Sequence, residues 1–323
     1  MKVAQVPLAQ AVGHILLHHQ AGPDGRKALK KGQRLTPADI SLLQELGREQ
    51  VFVAILDHDD LDENEAARRL GQAMLSHGLA ASSATTGRVN LIATINGLLK
   101  VNVENLLTFN DIPGITLATL PANTTVQPKT MVGTLKIIPY GVPQTSVAAA
   151  EARAIDSQLV TVKPFVVSRA VLITTGSAEA REKVVEGFTP ALRDRLAGYN
   201  TELIAGPYVP EDEAEIGEAL QWALGSGAQM ILIAGETSIM DEDDITPRAI
   251  KAVGGEITHY GMPVEPGNLM LLAYRGNVPI VGAPGCAKSK SYNVVDMVLP
   301  RLAAGERLTR RDLVALGHGG LLK

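Results

Sequence analysis

Ile231-Leu232-Ile233-Ala234-Gly235-Glu236-Thr237-Ser238, continuing through Asp241-Glu242-Asp243-Asp244-Ile245-Thr246-Pro247-Arg248, decides how this chain is read. A branched apolar run gives way to small and polar residues, crosses an acidic loop and reaches Thr246-Pro247. That pair is a good N-cap followed by a good first helical residue. The order is strand, loop, helix. Loops leaving the carboxyl ends of buried strands are where open α/β sheets collect their ligands.

Similar runs lie on either side. Val171-Leu172-Ile173-Thr174-Thr175-Gly176, Glu202-Leu203-Ile204 and Val278-Pro279-Ile280-Val281 are short and apolar, and helix-length amphipathic stretches separate those up to Ile233. That alternation implies parallel strands joined by crossover helices, so residues 165–323 are expected to form a three-layer α/β domain with a mostly parallel sheet. Thr189-Pro190 reads as a fresh helix start, which predicts two helices between Ala178 and Gly198. The next helix should begin in the acidic Pro210-Glu211-Asp212-Glu213 and end near Gly225.

Residues 1–150 read differently, as a smaller, mixed, β-rich region. A capped helix is predicted from Thr36 to Leu46 and another from Asp62 to His77, before short alternating segments such as Gly97–Val103 and Leu135–Ile138. The alanine-rich Val147–Ala154 reads as a connecting helix.

Composition narrows the function classes. A chain of 323 residues with 46% hydrophobic and 20% charged residues has enough core for two globular domains. A net charge of −4 and 3% aromatics give no case for nucleic acid or an anionic membrane surface. Cys286 is the only cysteine, which excludes an intramolecular disulfide and a cysteine-built zinc site and favours a reducing compartment. With no apolar stretch of signal-peptide or membrane-span length, the expected location is the cytoplasm. There is no Gly-x-Gly-x-x-Gly opening a helix, no Gly-x-Ser-x-Gly elbow and no Gly-x-x-x-x-Gly-Lys-Ser/Thr loop.

Chemistry is therefore sought in four loops that follow predicted strands. They carry Thr175 and Gly176; Asp212; Gly235, Glu236, Thr237, Ser238, Asp244 and Thr246; and Pro284, Gly285 and Ser289. Backbone N–H groups at Thr246 and donors at Ser289, Lys288 and Lys290 suit a phosphate. Asp241 to Asp244 would repel it unless Mg²⁺ intervenes, or unless a carboxylate faces a donor-rich ring edge instead. A phosphorylated pterin meets both conditions.

At these residues the sequence resembles the molybdopterin-binding domains of molybdenum-cofactor biosynthesis. The family's central loop, Thr-Gly-Gly-Thr/Val-Gly/Ser followed by Asp-x-Thr-Pro, is matched by Ala234-Gly235-Glu236-Thr237-Ser238 and Asp244-Ile245-Thr246-Pro247. Its Val-Pro-Asp-Asp element resembles Val209-Pro210-Glu211-Asp212, its Pro-Gly-Asn-Pro turn resembles Pro284-Gly285-Cys286-Ala287, and Pro263–Asn268 is similar to the Lys-Pro-Gly-Lys-Pro segment of the molybdate-inserting branch. Val6–Gly13 and Gly25–Gly32 are similar to the opening of the molybdotransferase branch. Three departures from the pattern stand out: Glu236 replaces a glycine, Glu265 and Asn268 replace lysines, and Cys286-Ala287 replaces Asn-Pro.

The resemblance implies a molybdopterin-binding protein, either a transferase using Mg²⁺ and ATP (adenylyltransferase type) or molybdate, or a non-catalytic module that stores, delivers or senses the cofactor. It also implies a homo-oligomer, with a molybdenum enzyme or another biosynthetic protein as partner. Asp244 and Asp212 are the catalytic candidates, with Asp244 also the metal candidate. Thr175, Gly176, Gly235, Glu236, Thr237, Ser238, Thr246, Pro284, Gly285 and Ser289 are the ligand contacts. Asp244→Asn is expected to weaken binding with little loss of fold.

Simpler readings stand beside these. Gly235 to Ser238 also suits a plain strand-to-helix turn, Asp241 and Glu242 a solvated loop, and Asp212 a helix-starting acid. Cys286 reads as a small buried residue and His14, His18 and His19 as surface residues.

Overall fold

The computed structural model describes residues 1–322, so Lys323, the last residue of the expected C-terminal domain, lies outside the described residues. The chain divides into two compact units, residues 1–95 with 99–162 and residues 96–98 with 163–323.

In the first unit, Thr36 and Asp39 form a reciprocal capping box that starts a helix at Pro37–Glu45. Asp62 caps a second helix, Glu63–Ala73, whose face carries Ala66, Ala67 and Leu70 into a core with Leu91, Phe109 and Val147. Four antiparallel strands form a sheet in the order Ile115–Thr119, Met131–Ile137, Arg88–Ala93, Leu79–Ala81. The helix expected at Val147–Ala154 runs from Gln144 to Asp156 and buries Val147, Ala150 and Ala154 in this same core. The predicted strand Gly97–Val103 ends at Val101, and Asn102 caps a helix, Val103–Asn110, that the alternation concealed.

The second unit is a three-layer α/β fold. Its elements are β1 (Arg169–Thr175), α1 (Arg181–Ala197), β2 (Glu202–Val209), α2 (Glu213–Gly225), β3 (Met230–Gly235), α3 (Ile245–Ala252), β4 (Glu256–Tyr260), β5 (Leu271–Arg275), β6 (Val278–Gly282) and α4 (Val294–Ala303). They build a six-stranded sheet in the order β2-β1-β3-β6-β5-β4, parallel from β2 to β6 and antiparallel beyond. Alternate residues of each central strand face opposite layers. Ala170, Leu172 and Leu232 pack with Val184 and Phe188 of α1 and Val298 of α4, whereas Val171, Ile173 and Ile231 pack with Ile216 and Leu220 of α2 and Ile250 of α3.

Two local expectations are corrected. No break occurs at Thr189-Pro190, and α1 runs through Pro190. A proline inside a helix costs about 3 kcal/mol or more, but each fully buried Phe or Leu returns about 1.5–3 kcal/mol, and Phe188, Leu192 and Leu196 are all buried on this helix. Helix α3 begins at Ile245, capped by Asp244, rather than at a Thr246 cap. Pro247 still falls in the first turn, where its missing N–H has no partner to lose.

The parallel strands end together at Thr175, Val209, Gly235 and Gly282. Tyr260 pairs with Leu271 and Leu271 with Gly282, so the β4–β5 connection, residues 261–270, reaches the same edge. Among the described residues no helix is long and apolar enough to cross a membrane.

Candidate functional site

The direction of the chain at this edge locates a crevice. Adjacent strands β1 and β3 send their following segments to opposite faces, β1 to α1 and β3 to α3. Between them lies the point at which ligands enter open α/β sheets.

Two glycines allow the crevice to be tight. Gly176 has φ +153°, and a methyl on it would stand 2.7 Å from the Tyr208 hydroxyl and 2.8 Å from Glu236 Cβ. A methyl on Gly235 would lie 2.7 Å from Thr175 Oγ1 and 3.0 Å from Glu211 Oε1. Both positions need a residue without a side chain.

Glutamates fill what the glycines leave. The Ser177 N–H and hydroxyl both donate to Glu236 Oε2, each at 2.8 Å, across the β1–β3 crevice. The Thr237 N–H donates to Glu211 Oε1 at 3.0 Å, and its hydroxyl to Glu211 Oε2 at 2.6 Å. The Ser177 N–H and hydroxyl hold the Glu236 carboxyl below the ordinary glutamate range. Tyr208 donates its hydroxyl to Ser177 O at 2.6 Å, with the Arg181 guanidinium 5.5 Å from its ring centre. Partial burial, with Glu236 and Glu211 nearby, pushes the Tyr208 phenol up.

The β3–β6 side is arranged differently. A methyl on Gly285 would meet nothing nearer than Ser238 Oγ at 4.0 Å, an ordinary contact distance, so the central loop and the last loop lie side by side without crowding. Among the described residues, the Ser238 and Gly285 N–H groups have no acceptor. Pro284 is buried and precedes the single turn Gly285–Lys288. Tyr260 anchors the central loop from β4, donating its hydroxyl to Ile239 O at 2.7 Å.

The acids singled out from the sequence work in helix caps. Asp244 accepts from Ile245 N–H at 2.7 Å through Oδ1 and from Met240 N–H at 3.1 Å through Oδ2. Asp212 accepts from Ala214 and Glu215 N–H, starting α2. Thr246 lies in the first turn behind the Asp244 carboxylate, a poor neighbour for an anion. Thr175 and Gly176 are buried at the end of β1.

The cations read as phosphate donors are turned elsewhere. Lys288 Nζ sits 4.6 Å from the Phe188 ring centre, and Lys290 pairs with Asp194 at 3.0 Å, both partners lying on α1. Ser289 Oγ accepts from Ser291 N–H, and its carbonyl accepts from Arg195 at 2.7 Å. Burial raises the Cys286 thiol, as expected of an unreactive cysteine. Burial, with Arg310 nearby, lowers the His259 imidazole.

Glu211, whose side chain closes the central loop, is not among the sequence-predicted site residues, whereas Glu265 and Asn268, singled out as departures from the family pattern, fall in the β4–β5 connection at the same edge. Glu265 is pinned by the C-terminal segment, donating its N–H to Gly320 O and accepting from Leu322 N–H, both at 2.8 Å. The Pro210-Glu211-Asp212 cluster carried the signal for Glu211, but its helix-starting role drew attention to Asp212 alone.

Residues 171–304, which contain every one of these loops, match a family model described as a probable molybdopterin binding domain. Over this segment the chain is similar to that family. Residues 5–55 match a second model, described only as a domain of unknown function. No curated protein matches the chain.

Solved structures similar to the chain include both longer and shorter proteins. A molybdenum cofactor biosynthesis protein from Pyrococcus furiosus is 16% identical, covering 97% of this chain and 65% of its own, with a TM-score of 0.27. A molybdopterin biosynthesis protein from Pyrococcus horikosii is 13% identical, covering 97% and 75%, with a TM-score of 0.33. One from Mycobacterium abscessus is 14% identical and covers 42% of this chain and 92% of its own, with a TM-score of 0.30. At such scores these likenesses carry no functional argument. The chain spans 65% of the length of the first of them.

Proposed function

We propose that this chain binds a phosphorylated pterin of the molybdopterin type at the carboxyl edge of its six-stranded sheet and serves molybdenum-cofactor biosynthesis. The observation that carries the reading is the adjacent Ser238 and Gly285, whose N–H groups have no acceptor among the described residues, within a segment matched to a molybdopterin-binding family. Two backbone N–H groups and the Ser238 hydroxyl can receive a phosphate there, next to the β1–β3 crevice. The sole cysteine fits the expected reducing, cytoplasmic setting.

A second reading, a module that binds, delivers or senses the cofactor without transforming it, is favoured by the state of the acids. Asp244 gives both oxygens to Ile245 and Met240 N–H, and Asp212 gives one oxygen to the cap of α2. Among the described residues no group of three or more His, Cys, Asp or Glu side chains could hold a metal. The residues present do not build a Mg²⁺ site by themselves, so no step through Mg²⁺ or ATP is derived from them.

The test is to incubate the purified chain anaerobically with molybdopterin and Mg-ATP and weigh the complexes by native mass spectrometry. Unmodified pterin bound to the chain supports binding without transformation, and an adenylylated pterin establishes the transferase. The same spectra read the expected homo-oligomer. No retained pterin under either condition overturns the proposal.

A further inference from the structure

We propose that Glu236 and Glu211 are specificity-determining residues that occupy, from within the chain, two donor pairs that would otherwise take an anion. This inference deepens the pterin-binding reading and rests on it.

Two donor pairs at this sheet edge are already taken by the chain's own carboxylates. Ser177 and Thr237 each present a backbone N–H and a hydroxyl side by side, the donor set that holds a phosphate oxygen elsewhere. Each pair is satisfied by one carboxylate: Ser177 by Glu236 Oε2, and Thr237 by the two oxygens of Glu211. The Glu236 bond crosses the junction where the segments leaving β1 and β3 part to opposite faces. An arriving phosphate must displace a carboxylate already held by two donors, or approach a like charge. Neither is favourable, so the phosphate is directed to Ser238 and Gly285.

Glu236 has a second use. Its Oε1 accepts no hydrogen bond among the described residues, whereas its Oε2 accepts two. A ring edge bearing N–H groups can therefore donate to Oε1 without disturbing the Ser177 clasp. The two glutamates thus divide the edge, with a carboxylate half for the ring and an amide half for the phosphate.

The experiment titrates the full chain with inorganic phosphate and follows the Ser177, Thr237, Ser238 and Gly285 amide resonances. In the wild type, the Ser238 and Gly285 amides should respond and the Ser177 and Thr237 amides should stay still. The double variant E211A/E236G should bind phosphate at Ser177 and Thr237 at least tenfold more tightly than the wild type. E211Q/E236Q, which removes the charges while keeping side-chain volume, should gain severalfold and serves if the first variant does not fold.

Wild-type phosphate binding at Ser177 and Thr237 as tight as in the variants overturns the proposal, as does a folded variant with no gain. Molybdopterin binding, measured separately, distinguishes the two readings. A phosphate gain without pterin binding defeats the functional reading alone, and pterin binding without a phosphate gain defeats this inference alone.

Discussion

The β1–β3 half and the β3–β6 half of one sheet edge use the same parts, a glycine and a hydroxyl residue in the loop after a strand, and reach opposite states. On the first, Ser177 and Thr237 are clasped by Glu236 and Glu211. On the second, Ser238 and Gly285 face each other with their N–H groups free of acceptors among the described residues. The difference teaches that the residues at the end of a parallel strand do not by themselves define an anion site. What matters is whether the chain supplies its own carboxylate to the donors.

The contrast can be broken most severely at Gly176. Replacing it with alanine places a methyl 2.7 Å from the Tyr208 hydroxyl and 2.8 Å from Glu236 Cβ at φ +153°. The expected loss is about 1–3 kcal/mol of stability, read by denaturant unfolding, together with loosening of the Ser177 clasp. A smaller loss is expected at Asp244. Asn keeps one acceptor oxygen but cannot serve both Ile245 and Met240, so Asp244→Asn should cost about 1 kcal/mol by one lost hydrogen bond. That is more than an exposed loop residue would suggest, because Asp244 caps α3.

Acid should separate the two halves more gently. The Glu236 carboxyl is held below its ordinary 4.5 by the Ser177 donors, so its contribution is full above that value and is lost as pH falls through the lowered folded value. Glu236→Gln has no such titration. The stability gap between wild type and this variant should therefore narrow below about pH 4.5, measured by melting across pH 3–7, and a gap constant over that range would contradict the clasp. The smallest effect is expected at Gly285, where alanine meets Ser238 Oγ only at 4.0 Å. Stability should change by less than about 0.5 kcal/mol, and a large loss would show that the two loops are more tightly packed there than their 4.0 Å contact allows.

The legible and hidden parts of this structure follow from what sequence patterns encode. The runs at Val171, Met230 and Val278 announced the parallel core because strands buried on both faces must be apolar throughout. Thr36 and Asp39 announced their helix because a capping box is a purely local device. Pro190 misled because the burial of Phe188 and Leu192, which outweighs it, is a tertiary fact. The β4 and β5 strands escaped notice because one alternates polar residues and the other is a single short apolar run. Their antiparallel pairing is what brings residues 261–270 to the edge.

At the site, the loops were legible because each follows an apolar strand. The partners of their donors were not. Nothing local links Glu211 to Thr237, 26 residues away, or Ser177 to Glu236, 59 residues away. Lys288 and Lys290 looked available because their α1 partners, Phe188 and Asp194, lie about a hundred residues earlier.

The most direct measurement is an amide chemical-shift map of the full chain titrated anaerobically with molybdopterin. Binding at the carboxyl edge should move Ser238, Gly285 and their neighbours in the loops after β1, β3 and β6. Shifts confined to residues outside the loops after β1, β3 and β6, or no shifts at saturating pterin, would contradict it.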